Sequence, residues 1–240
     1  MNYQKTKNGL SKKKINKVEL KSYQSKRKQK AAGFPLMDIQ DQFGNSVDTK
    51  RVETREQKLA NQYIEENDIV LELGARYGSV SCIINSKLNN MLKTNQVVVE
   101  PDKRVWKALE RNRDANGCKF HIVKGFISKQ KLDLKNLESC NGGYGATFVD
   151  IKDTDKTEIP SLTLDEIKKK YGLQFNVLVA DCEGFLERFF DENPELYNEL
   201  QKVIFESDYP NKCDYDKIKK NLANADFKEI ISGKQNVWIK

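Results

Sequence analysis

The sequence predicts an α/β fold, a doubly wound and mostly parallel seven-stranded sheet with an antiparallel C-terminal strand. Three observations carry this expectation. Short apolar runs alternate with amphipathic stretches from residue 69 onward, several runs are apolar at consecutive positions and so lack a wet face, and a glycine turn, Glu72-Leu73-Gly74-Ala75-Arg76-Tyr77-Gly78, leaves the first run for a helix. A chain of 240 residues, 38% of them hydrophobic, supports one domain with a preceding tail.

The elements follow in order. Residues 1–30 hold eleven Lys and Arg against one acid, Glu19, a net of +10, which leaves residues 31–240 at −3. Runs such as Lys12-Lys13-Lys14 and Lys26-Arg27-Lys28 repel themselves and bury nothing, so this stretch is expected to be a disordered basic tail. An anionic partner such as nucleic acid suits it; the plain alternative is a solubilising tail. Residues 31–50, with Gly33, Pro35 and Gly44, read as an irregular connector, and residues 51–240 as the folded domain.

Within that domain Val52, Leu59, Tyr63 and Ile64 have helical spacing, and the helix ends near Asn67. Residues 69–73 form the first strand and 79–87 its helix; 96–100 is the second strand, 103–116 a helix closed by Gly117, and 120–123 the third strand. Residues 141–150, carrying Gly142, Gly143 and Gly145, read as a hairpin or inserted loop. A helix is expected over 161–171 after Pro160, with Gly172 as its cap, then a fourth strand at 176–180, a helix over 185–200, a fifth strand at 202–206 and a helix over 214–223. Residues 227–231 and 237–239 would close the sheet as a pair.

Several classes are disfavoured. Cys82, Cys118, Cys140, Cys182 and Cys213 are odd in number and contain no C-x-x-C pair, and His121 is the sole histidine, so neither a disulfide framework nor a zinc site is expected. A reducing, cytoplasmic setting follows. No run approaches the ~18 apolar residues of a membrane span, and no apolar region follows the N-terminal lysines, so neither a span nor a signal peptide is expected. His121 invites a role as general base, but its place between Phe120 and Ile122 on a strand favours a structural one.

The glycine turn is the sharpest local signal. Glycines let the backbone bend tightly, and the helix that follows offers unpaired N–H groups to an anionic end. A nicotinamide dinucleotide would need G-x-G-x-x-G, and Arg76 stands where the second glycine admits a pyrophosphate. S-adenosylmethionine has no pyrophosphate, so the looser turn suffices for it. Glu100 ends the second strand, 22 residues beyond Gly78, where it would accept hydrogen bonds from the ribose hydroxyls. Residues 125–128 would lie near the adenine.

At this point the chain resembles the FkbM family of S-adenosylmethionine-dependent methyltransferases over about residues 68–227. Val70 to Gly78 resembles the family's cofactor turn, Val99-Glu100-Pro101-Asp102 its E-P-D element, and Leu109 to Gly117 its L-x-x-N-x-x-x-N-G helix end. Ile159 to Asp165 resembles the stretch that ends in T-L-D, Asp181-Cys182-Glu183-Gly184 the D-V-E-G, and Phe205-Glu206 the acidic strand end. Departures are Glu72 for the usual Asp, Arg76-Tyr77 for a smaller pair, and Val179-Ala180 where the family commonly has Lys-Ile. The resemblance implies a class I, Rossmann-like methyltransferase fold and S-adenosyl-L-methionine as donor, with methyl transfer usually to a hydroxyl on a sugar or other small molecule. Carried onto this sequence, the cofactor contacts are Glu72, Gly74, Ala75, Arg76, Gly78, Glu100, Pro101, Asp102 and Asp181.

On the acceptor side, Asp181 and Glu183 follow the fourth strand, and Glu206 and Asp208 end the fifth. Methyl transfer to a hydroxyl needs the oxygen held about 3 Å from the methyl and a group to take its proton, so Asp181 and Glu183 are the candidate catalytic residues. A second use of Asp181 and Asp208, with Asn211, is to hold a divalent cation through oxygen ligands. Two other readings stand beside O-methylation: a nucleic-acid methyltransferase served by the basic tail, and an inactive methyltransferase-like scaffold.

Overall fold

The computed structural model describes residues 34–135, 146–152 and 154–240. The expected basic tail and the glycines of 141–145 lie outside these residues. In chain order the described elements are α1 (Thr54–Tyr63), β1 (Val70–Leu73), α2 (Ser79–Lys87), β2 (Gln96–Glu100), α3 (Trp106–Ala115), β3 (His121–Lys124), β4 (Phe126–Ile127), β5 (Leu132–Lys135), β6 (Thr147–Asp150), β7 (Ser161–Leu162) and α4 (Leu164–Tyr171). They continue with β8 (Val177–Ala180), α5 (Leu186–Glu192), α6 (Leu196–Glu199), β9 (Lys202–Glu206), α7 (Tyr215–Asn224), β10 (Lys228–Ile231) and β11 (Gln235–Ile239).

Seven strands make the main sheet in the order β10-β11-β9-β8-β1-β2-β3. The strands from β9 to β3 run parallel, and β11 is antiparallel to both β9 and β10. This is the expected doubly wound, mostly parallel seven-stranded sheet with its antiparallel C-terminal strand. The chain winds outward from β1 to β3 and then returns to β8 on the other side of β1, so the two neighbours of β1 belong to opposite halves of the winding. Strand order reverses there, and the crevice beyond the carboxyl ends of β1 and β8 is where such sheets take ligands.

The apolar runs are explained by burial on both faces: every residue of β1, β2 and β8 is buried. Leu71, Leu73, Val97, Val99, Leu178, Ala180, Val203 and Phe205 pack against α4, α5 and α7 on one face. Val98 packs with Ala75, Tyr77, Cys82, Leu109 and Phe120 on the other. A buried side chain of this size contributes about 2 kcal/mol, so these layers set the sheet's register.

Within the connector, Met37, Ile39 and Val47 pack on the second face. Gln40 and Ser46 make an isolated antiparallel bridge. Asn112, on α3, accepts from the Gln40 N–H at 3.1 Å and donates to the carbonyls of Gln40 and Tyr77 at 2.8 and 2.9 Å. Asn116 likewise clasps both backbone groups of Asp38 at 2.9 Å. The two asparagines that match the family's helix end are therefore structural here.

Four expectations need correction. Residues 161–162 are not helical: they form β7, which pairs in parallel with β4. The helix starts only at Leu164 because Thr163 and Glu166 close a reciprocal capping box. The helix expected over 185–200 breaks into α5 and α6, since Pro194 has no N–H to continue the ladder. Residues 147–150 pair antiparallel with β5, a strand the sequence did not betray, as Leu132-Asp133-Leu134-Lys135 is too short to show its period. Finally, α1 stops at Tyr63, short of Asn67, with Ile64 already extended.

Candidate active site

The site is built at the carboxyl ends of β1, β2 and β8. The turn after β1 is fixed from both sides: the Gly74 N–H donates to the Val99 carbonyl at 3.0 Å, and the Asp181 N–H donates to the Leu73 carbonyl at 3.0 Å. Gly74 has φ +86, and a Cβ placed on it would sit 1.8 Å from the Asp181 carbonyl oxygen. Its glycine is therefore demanded first by the close approach of β8, and only secondarily by any ligand. Gly78, at φ 83, caps α2.

One cavity is lined by Leu73, Gly74, Arg76, Val99, Glu100, Pro101 and Asp102 on one side and by Asp181, Cys182, Glu183 and Phe185 on the other. Phe126, Ile127, Leu134 and Phe148 supply an apolar wall. Eight candidates for cofactor contact or catalysis, Gly74, Arg76, Glu100, Pro101, Asp102, Asp181, Glu183 and, in a smaller recess behind, Ala75, thus border one connected region. Glu72 borders only that recess: its carboxyl is 2% exposed and accepts from Ser81 Oγ at 2.8 Å and Gln96 Nε2 at 3.0 Å. Burial pushes it up to about 8 in spite of these two bonds. Gly78 borders neither cavity nor recess.

Glu100 is 6% exposed and is held by backbone: Oε2 accepts from the Arg76 N–H at 2.6 Å and Oε1 from the Asp102 N–H at 2.7 Å. Each oxygen keeps a lone pair for a ligand hydroxyl. Burial raises its pKa to about 7, against the two amide bonds that favour the anion. Asp102 is partly neutralised by Arg104 at 2.7 Å. Arg76 borders the cavity, but its guanidinium leans on its neighbour, Nη2 donating to Tyr77 Oη at 3.0 Å and the group lying 4.6 Å from the ring centre. Of residues 125–128, Phe126 and Ile127 face the cavity, whereas Ser128 is tied to Glu192 at 2.9 Å.

Across the cavity, the Asp181 side chain accepts no hydrogen bond and makes no ion pair among the described residues. Burial, and then the charges of Glu206, Glu53, Asp208 and Glu183, hold its carboxyl well above the ordinary aspartate range. The apolar wall is braced by Arg188, which binds Asp150 at 2.6 Å and Glu192 at 3.0 Å, and by the edge-on contact of Phe148 with Phe185 at 5.1 Å.

Glu53 was not among the residues the sequence singled out. It sits just before α1, where Gln57 Nε2 pins the chain by donating to the Thr49 and Val52 carbonyls at 2.9 and 2.7 Å. Its carboxylate accepts from Ser79 Oγ and borders the cavity beside Asp181. Burial raises its pKa. Glu53, Arg76 and Glu183 all have left-handed backbone, with φ 50, 44 and 53, and all three line this one cavity. An acidic residue in a charged, helix-like stretch carries no mark that separates it from surface glutamates.

Other candidates fall away from the site. His121 stacks on Tyr171 with ring centres 4.3 Å apart, and burial lowers its pKa, as the structural reading expected. No group of three or more His, Cys, Asp or Glu among the described residues is arranged to hold a metal ion. Asp208 accepts from Tyr215 Oη at 2.6 Å. Cys82, Cys118, Cys182 and Cys213 are free thiols. No helix among the described residues is long and apolar enough to cross a membrane.

No family profile matches the chain, and no curated protein matches it. Solved structures do. The chain is similar to a precorrin-6y C5,15-methyltransferase of Geobacter metallireducens at 10% identity and a TM-score of 0.49, covering 86% of this chain and 97% of that one. It is similar to a methyltransferase of Pyrococcus furiosus at 14% identity and 0.45, covering 94% and 97%. A ribosomal protein L11 methylase of Lactobacillus delbrueckii subsp. bulgaricus matches at 16% identity and 0.44, covering 77% and 75%.

Proposed function

We propose that this chain is an S-adenosylmethionine-dependent methyltransferase of the FkbM type, acting on a hydroxyl of a carbohydrate or other small molecule. The observation that carries the reading is that Glu100, from β2, and Asp181, from β8, face a single cavity across the glycine turn of β1. A nucleoside with a ribose diol and a cationic sulfur matches that pair: the diol meets the backbone-held carboxylate, and the positive centre meets the carboxylate that lacks a protein partner.

The residues divide the work. Val99, Phe126 and Ile127 offer an apolar wall to a flat base, and Glu100 orients the ribose. S-adenosylmethionine supplies the electrophilic methyl when bound. Asp181 stands where it can take the proton of an attacking hydroxyl; its raised pKa makes it a stronger base than an ordinary aspartate once ionised. Phe148 and Phe185 exclude water from the same side.

The test is binding of S-adenosylhomocysteine to the full chain. At a hundred times its Kd, a ligand of the native state adds about 2.7 kcal/mol of stability and raises the melting temperature. Folded protein that shows neither a melting shift nor calorimetric binding at millimolar S-adenosylhomocysteine rejects the reading.

A further inference from the structure

Resting on the methyltransferase reading, we propose that Arg188 is a positioning residue for the donor: from α5 it grips Asp150 on β6 and so aims Phe148 at the cavity that takes the nucleoside.

The part of the wall that needs holding is the β5–β6 ribbon. Among the described residues its two strands pair with each other and not with the main sheet, and a two-stranded ribbon is marginal on its own in water. Leu134 and Phe148 stand directly opposite each other in its register, and both line the cavity. Leu132 and Asp150 form the pair two residues nearer the base of the ribbon. Side chains two apart on a strand share a face, so Asp150 projects from the face of β6 that carries Phe148. Whatever fixes Asp150 therefore fixes the direction of Phe148.

Two residues of α5, one helical turn apart, supply the fixing groups. Arg188 Nη1 lies 2.6 Å from Asp150 Oδ1, its Nε donates to Glu192 Oε1 at 3.0 Å, and its guanidinium stands 5.8 Å from the centre of the Phe148 ring. Glu192 in turn accepts from Ser128 Oγ at 2.9 Å and from the Lys129 N–H at 2.7 Å. Residues 128–129 lead into β5 and Asp150 ends β6, so this pair holds both ends of the ribbon. A planar guanidinium fork serves two carboxylates at once, which a single ammonium does less well. Arg188 stands behind the cavity lining rather than in it, so its influence on a ligand passes through the ribbon.

The same geometry separates positioning from stability. The Arg188 side chain is 23% exposed and that of Asp150 66%, and so wet a pair adds little to global stability. Leu132, fully buried in the main core, keeps the ribbon attached without it. Loss of the grip instead widens the range of directions open to Phe148. A ligand must then order its own wall as it binds, which weakens binding.

The test is calorimetric titration of the full chain with S-adenosylhomocysteine, paired with urea unfolding of each variant. Arg188→Met keeps the stem and removes the fork; it is expected to raise the Kd about tenfold while moving the urea midpoint by less than about 0.5 M. Arg188→Lys keeps one ion pair and should bring the Kd back to within about threefold of wild type. Phe148→Ala should weaken binding at least as much as Arg188→Met, and combining the two should change the Kd by less than about twofold beyond Phe148→Ala alone, since the grip then has nothing to aim. A Kd unchanged by Arg188→Met, no recovery in Arg188→Lys, a urea midpoint that falls along with the affinity, or losses that multiply in the double variant overturns the proposal. Should Arg188→Met fail to fold, Asp150→Asn breaks the same grip from β6 and is held to the same outcomes. A folded wild-type chain that binds no S-adenosylhomocysteine removes the methyltransferase reading, and this proposal with it.

Discussion

If Glu100 holds the ribose of the proposed donor, binding of S-adenosylhomocysteine must depend on pH in a defined way. The Glu100 carboxyl is buried, its pKa stands at about 7, and it is best able to accept hydrogen bonds from a ribose diol when ionised. Raising the pH through 7 therefore increases the competent fraction. Between pH 8 and pH 6 that fraction falls about tenfold, which is about 1.4 kcal/mol of binding free energy. The S-adenosylhomocysteine Kd, measured by calorimetry from pH 5.5 to 8.5, should rise about tenfold from pH 8 to pH 6, steepen toward tenfold per unit below that, and level off above pH 8. Other carboxyls at the site also titrate in this range, notably Glu56 at about 7 from burial and the Glu206 charge. Glu100→Gln isolates the effect: it should bind weakly at all pH values and lose most of the slope. A wild-type Kd that is flat across this range, or a slope that persists in Glu100→Gln, would show that Glu100 is not the ribose acceptor.

Three further outcomes are expected. Glu72, 2% exposed and raised by burial to about 8, stays protonated in the native state while the unfolded chain ionises near 4.5, so its contribution to stability is full below pH 4.5 and declines as pH rises toward 8. By pH 7 the loss is about 3 kcal/mol, and urea denaturation should show Glu72→Gln more stable than wild type at pH 8 and level with it at pH 4.5; parallel pH curves for the two proteins would contradict this. Gly74→Ala drives a methyl to within 1.8 Å of the Asp181 carbonyl at a left-handed φ, and should cost more than about 3 kcal/mol in the same measurement. Asp181→Asn removes an unpartnered carboxylate among like charges, so it should raise the melting temperature at pH 8 while lowering methyl transfer about 10²–10⁴-fold; an unchanged turnover would remove Asp181 from the chemistry.

The sheet was legible because its strands are buried on both faces: Val97-Val98-Val99 and Val177 to Ala180 leave little choice of environment, and the glycine turn fixes which end of β1 faces the ligand. Glu100 and Asp181 could be placed because each ends a strand next to β1 in an alternating pattern. What escaped notice depends on partners distant in the chain. β5 exists only through β6, and β7 only through β4, since two to four residues carry no period of their own. Glu53 reaches the cavity because Gln57 pins its loop and Ser79 receives its carboxylate, neither of which leaves a local trace. Glu72, assigned to the cofactor from its place in the turn, points to the face of the sheet away from the main cavity, where Ser81 and Gln96 satisfy it. Gly74 is required by more than the bend of its turn, since the chain leaving β8 occupies the place where a Cβ would sit, a contact between residues more than a hundred positions apart.

The left-handed residues Glu53, Arg76 and Glu183 bear on how this protein would respond to selection in the laboratory. Each non-glycine residue in that conformation costs on the order of 1 kcal/mol, so glycine at any of the three relaxes the main chain. A library screened for heat tolerance alone should drift toward glycine at these positions and erase the charged lining as it does so. Screening for retained ligand at each round would hold them in place, and the divergence between the two lineages would measure how much rigidity this chain forgoes to keep its charges where they are.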